Sequence, residues 1–194
     1  MKNSNSMTLA LASLMLTLPS VHANASELDA HEHGSANLDI AIDTSTIEMR
    51  FESPAVNIVG FEYATEDEQQ LLLINKAKSN LSNFDLIYGL VGDVSCQTVK
   101  SSAKWVTEHE AGHDDHDDHE AGHDDHGEVA KAEHAEFIAE YRLECNQLNN
   151  LAAIDVKMFE FFPAIEDLDV QVVYSQGQIK YELDANNTLI KLDR

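Results

Sequence analysis

Positive charge is scarce in this chain. Twelve Lys or Arg stand against 35 Asp or Glu in 194 residues, for a formal net charge of −23. That balance argues against nucleic acid and anionic membrane surfaces as partners, and favours cations. Cysteine is nearly absent, with Cys96 and Cys145 the only two. The five methionines do not cluster, which excludes a thioether copper site. Beyond the first 25 residues, no apolar run is long enough to span a membrane. The familiar catalytic patterns are missing: no HExxH, GxSxG or Walker A, and no GxGxxG after a strand. The EF-hand order of calcium ligands is missing too. The expectation is a binding protein, not an enzyme.

What is present is a repeat. HEAGHDD at His109–Asp115 recurs at His119–Asp125, with a period of about ten residues. It sets His109, His113, His116, His119, His123 and His126 three or four residues apart among carboxylates. Nothing larger than alanine among its apolar residues offers surface to bury, so the segment cannot offset the entropy of being ordered. Gly112, Gly122 and the Asp pairs oppose a helix. Imidazoles repeated in phase at i, i+3 and i+4 suit metal ions that bridge successive turns. Residues 101–135 read as one long loop, with a disordered His/Asp-rich insertion at about 104–132.

Residues 1–25 read as a secretory signal peptide: Lys2, an apolar stretch from Met7 to Leu18, Pro19, and Ala23-Asn24-Ala25 as the cleavage pattern. No cysteine follows for a lipid anchor. The expectation is a periplasmic, soluble protein whose residues 26–194 form a single metal-binding domain. In an exported chain two cysteines usually pair, so a Cys96–Cys145 disulfide is expected.

Period-two alternation in Ala36–Ile42 and Ile47–Phe51 predicts a β-hairpin, ended by Pro54. Ala55–Tyr63 is expected to lie under a helix at about 66–81, opened by a capping box at Thr65–Glu68. Asn83–Val91 fits either a loop or an apolar strand. Strands are expected at Val94–Val99, Phe137–Cys145, Ile154–Met158, Val170–Tyr174, Ile179–Leu183 and Leu189–Leu192. The second of these should return beside the first, so that the disulfide joins neighbouring strands. The fold class is α+β, a mostly antiparallel sheet with one main helix.

Three histidines stand outside the repeat at positions the fold should hold. His31 and His33 precede the first strand and, at period two, point the same way. His134 precedes the Phe137 strand. Zinc takes four ligands from His, Cys and carboxylate, and these three with a carboxylate or water complete such a set. Imidazole with carboxylate also suits nickel or copper(II), and the sequence does not choose among them.

HEHGSANLDIAI at His31–Ile42, ESPAVNIVGFEYA at Glu52–Ala64, the His/Asp loop, EHAEFIAEYRLEC at Glu133–Cys145 and DLDVQVVYSQGQ at Asp167–Gln178 follow one another in a recognisable order. The chain resembles the zinc-regulated periplasmic zinc-uptake proteins of Gram-negative bacteria, the ZrgA-like family, over nearly all of its mature length. The resemblance implies a soluble protein that binds zinc ions for uptake with an inner-membrane metal transporter. It carries His31, His33, His134 and the loop histidines over as ligands. In the family GFE is commonly followed by histidine; here that position is Tyr63. If that histidine is a ligand elsewhere, the resemblance implies either that Glu62 or water substitutes for it here or that the affinity differs. Two other readings compete: a periplasmic buffer or chaperone for nickel or copper, which needs only the loop, and a structural or interaction module insensitive to chelators.

Overall fold

The structure is a computed structural model that describes residues 32–107 and 134–192. In chain order its elements are β1 (Ser35–Ile42), β2 (Thr46–Pro54), α1 (Val56–Val59), α2 (Glu68–Leu81), α3 (Phe84–Ile87), β3 (Tyr88–Gly92), β4 (Ser95–Thr107), β5 (Ala135–Asn146), β6 (Leu151–Val156), β7 (Asp167–Tyr174), β8 (Gly177–Leu183) and β9 (Leu189–Lys191). Residues 1–25, expected to be a signal peptide, and the histidine repeat lie outside the described residues.

Alternation builds the main sheet, whose order is β4-β5-β2-β1-β7-β8. Leu38, Phe51 and Ala139 stand in one row across β1, β2 and β5; Ile40, Met49 and Tyr141 form the next, and Ile42, Ile47 and Leu143 a third. All nine are buried on one face in a single apolar cluster. Side chains that alternate across a strand send the intervening residues to the other face. There Arg50 pairs with Glu52 and Glu140, Lys100 with Glu140, and Arg142 with Glu48. The Lys100 ammonium, and Arg50 after it, hold the Glu140 carboxyl below the usual carboxylate range. That small contribution to stability is present above the ordinary carboxylate pKa and is lost as pH falls through the lowered value. A second sheet, β3-β6-β9, adds Ile154, Val156 and Ile190 to the same cluster.

The expected α+β class and antiparallel character hold, with one exception: β1 and β7 run parallel, Ser35 opposite Asp167 through Ile42 opposite Tyr174. The disulfide is present, Cys96 and Cys145 facing each other across β4 and β5 with their Cα atoms 4.0 Å apart. Among the described residues no helix is long and apolar enough to cross a membrane.

Several boundaries move. The main helix starts at Glu68, two residues late, because Asp67 rather than Thr65 caps it: the Asp67 carboxylate accepts from the Gln69 and Gln70 amides, both at 3.0 Å. Thr65 Oγ1 instead accepts from the Asp67 amide, 3.1 Å. Asn83–Val91 is neither simply a loop nor simply a strand; it is α3, capped by the Asn83 side chain, followed directly by β3. Met158 belongs to a short 3₁₀ turn after β6 rather than to the strand.

The largest correction concerns β4. The expected loop at 101–135, and the insertion at about 104–132, both begin too early, since β4 continues to Thr107. Lys100, Ser101, Ser102 and Lys104 hide the strand from a hydropathy reading because β4 is the sheet's edge and is barely buried. Pairing with β5, the Lys100–Glu140 ion pair and a bond from Ser101 Oγ to the Ser82 carbonyl, 2.6 Å, hold it in place.

Gly92 permits the bulge where β3 meets β6. Its φ is +140°, and a Cβ there would sit 2.1 Å from the Asn150 carbonyl oxygen. Gly92→Ala is therefore expected to destabilise the protein by at least about 2 kcal/mol, read as an earlier midpoint in urea unfolding. An unchanged midpoint would mean that the bulge relaxes freely.

Candidate metal centre

The site is assembled by three segments that meet at one end of the main sheet. His33 lies in a turn immediately before β1. Gly34, at φ +91°, makes that turn possible, because a side chain there would be strained. The Gly34 carbonyl accepts from the Glu166 and Asp167 amides at 2.7 and 3.1 Å, which ties the turn to the start of β7.

Glu62 comes from the connection after α1. That helix ends at Gly60 in a left-handed cap whose amide donates back to the Val56 carbonyl. Phe61 then turns into the core and Tyr63 turns outward, and the Tyr63 hydroxyl accepts from Gln70 Nε2 at 2.9 Å. The Phe61 ring packs against Tyr63 and Trp105, and Trp105 meets Phe137 edge-on at 5.2 Å. This aromatic stack fixes Glu62 beside β4 and β5.

His134 stands one residue before β5, at a point where the Ala55 amide donates to the Ala135 carbonyl at 2.8 Å. The Glu62 carboxylate lies between the two histidines. Its Oε1 is 3.0 Å from His134 Nδ1 and its Oε2 is 3.4 Å from His33 Nε2. All three side chains keep contact with solvent, with 21% of Glu62, 41% of His134 and 64% of His33 exposed, so an ion can reach them.

Two chemical uses are open to such a frame. Donors about 2.1 Å from one tetrahedral zinc stand about 3.4 Å apart, close to the separations seen here. Alternatively the carboxylate accepts from His134 Nδ1–H and fixes the tautomer whose Nε2 carries the lone pair a metal needs. Among the described residues, no three His, Cys, Asp or Glu side chains close around a common point as a finished cage. The frame is two pairwise contacts sharing one carboxylate, and its donors are of the type zinc takes.

Of the residues expected from sequence, the structure brings together His33, Glu62 and His134. His31, together with His109, His113, His116, His119, His123 and His126, lies outside the described residues. The repeat's attachment points are nevertheless defined. Thr107 and Ala135 face each other as the last pair of β4 and β5, so the segment between them leaves and rejoins the fold beside His134. Sequence reasoning missed Asn57, whose side chain bonds the Gly34 amide and the Ser35 carbonyl just after His33. A polar residue in an otherwise apolar run, Ala55 to Phe61, was the signal available.

No curated protein matches the chain. Residues 30–192 match the family model described as ZrgA family zinc uptake protein, and the chain belongs to that family.

Proposed function

We propose that this protein works in the periplasm after export, captures Zn(II) and delivers it to an inner-membrane metal transporter. It acts by binding and catalyses no reaction. The observation that carries the reading is the Glu62 carboxylate held between His33 and His134. A buffer for nickel or copper needs only the repeat; oriented side chains on folded elements are what a defined capture site needs. In this reading His31 joins the fixed set, and the histidines of the repeat hold further ions more weakly. A segment with no apolar surface to bury would have to be ordered around each ion at a cost in conformational entropy, whereas a site built in advance avoids most of that cost. The dense acidic charge raises the local zinc concentration and the capture rate, an effect that fades with salt.

The test is a competition titration of the mature protein with zinc, nickel and copper(II), reporting stoichiometry and affinity. Copper(II) competes well at any nitrogen and oxygen site, so its success alone decides nothing. The expected result is one tight zinc ion and several weaker ones. A single weak class of zinc, lost entirely with residues 109–126, would leave only the buffer.

A further inference from the structure

We infer that Asn57 is a positioning residue for zinc capture: its amide clamps the turn that carries His33 to the segment that carries Glu62. This rests on the metal reading of His33, Glu62 and His134.

Asn57 and Ser53 are the buried polar side chains among the described residues, and Asn57 is 4% exposed. Burying an amide costs several kcal/mol unless its hydrogen bonds are made, and a leucine of similar volume would fill the space without that cost. Here each bond is made and each is specific. Asn57 Oδ1 accepts from the Gly34 amide at 2.8 Å. Its Nδ2 donates to the Ser35 carbonyl at 2.9 Å and to Ser53 Oγ at 3.2 Å. Ser53 Oγ in turn donates to the Pro54 carbonyl, 3.2 Å.

The two backbone partners are the residues directly after His33. The β1–β2 pairing ends at Asn37 opposite Glu52, so β2 does not reach the turn. The turn is held instead by Glu166 and Asp167 on one side and Asn57 on the other. Asn57 lies in α1, and Glu62 follows two residues after the Gly60 cap of that helix. One short segment therefore supplies the carboxylate and fixes the backbone of the histidine 3.4 Å from it. Asn57 thus links the two segments directly, alongside the pairing of β1 with β7.

The experiment uses the full mature chain and measures the tight zinc class by chelator competition. Asn57→Ala is expected to weaken that class about 10-fold or more, the scale seen when groups that orient metal ligands are removed, and to leave the number of weak ions unchanged. In a His33→Ala background the same change should alter affinity less than about 2-fold, because the clamp acts through His33. A general loss of folding would weaken both backgrounds alike, and that additive result overturns the clamp. Gly34→Ala tests the turn without removing a buried amide, since its Cβ meets only Glu166 side-chain atoms at 3.5 Å while the backbone is strained. It too should weaken the tight class, and an unchanged affinity overturns the proposal even if Asn57→Ala fails to fold. A His33→Ala protein whose tight class is not weakened overturns the metal reading of His33 and the clamp with it.

Discussion

Replacing Glu62 by alanine is expected to weaken the tightest zinc ion by about 100-fold, or about 2.7 kcal/mol. The carboxylate contacts both histidines, so its loss removes either a direct oxygen donor or the partner that orients each imidazole. His134→Ala should cost a similar amount. The double change should cost less than the sum, because both residues act through the same contact. Deleting residues 109–126 should do the opposite, lowering the number of ions bound while leaving the tightest in place. Changing His31 and His33 together to alanine should abolish the tight class and spare the rest. Zinc at 100 times its dissociation constant should stabilise the intact protein by about 2.7 kcal/mol, and at the same concentration Glu62→Ala should lose most of that gain. Loop deletion that removes the tight class while Glu62→Ala spares it would place the fixed site elsewhere.

The second large effect is on stability. Changing Cys96 and Cys145 to serine should destabilise the protein by about 4 kcal/mol, the loop-closure value for a chain segment of this length. The bridge closes 49 residues that include the histidine repeat, and it ties down an edge strand that has a partner on one side only. Denaturant unfolding of the double variant against the oxidised protein measures the loss. Affinity at the tight class should hardly move, because the bridge sits at the end of the β4–β5 hairpin remote from His134. The hairpin pairs Cys96 with Cys145 at one end and Thr107 with Ala135 at the other. A stability loss under about 1 kcal/mol would mean that β5 alone holds β4 in register.

Much of the main sheet was legible because β1, β2, β5 and β7 bury one face and expose the other. Their hydrophobic residues recur every second position, as in Phe137, Ala139, Tyr141, Leu143 and Cys145. The helix was legible for the same kind of reason, through Ile74, Ala77 and Leu81 on its buried side. The rest depends on partners distant in the chain. The outer half of β4 has too little burial to leave a pattern. The second sheet joins β3, β6 and β9, short strands whose pairing no local sequence announces. At the site, the histidines were visible because histidine is rare outside the repeat. Glu62 is one of many carboxylates, and it drew notice only through the family position next to it. The hydrogen bonds of Asn57 cross from α1 to the start of β1, a separation of 23 residues between its oxygen and the Gly34 amide.

The parallel pairing of β1 with β7 also orders events in time. The strand that begins two residues after His33 lies inside the sheet, between β2 and a strand that starts at Asp167. Contacts so far apart in sequence are slow to form, because most of the chain must be gathered before they gain anything. A nascent chain that has not yet delivered Glu166 and Asp167 has nothing to hold the Gly34 carbonyl. Under the proposed metal reading, tight zinc binding is expected late in folding, and an amide-exchange time course during refolding should find protection at Ser35–Ile42 appearing together with tight metal uptake.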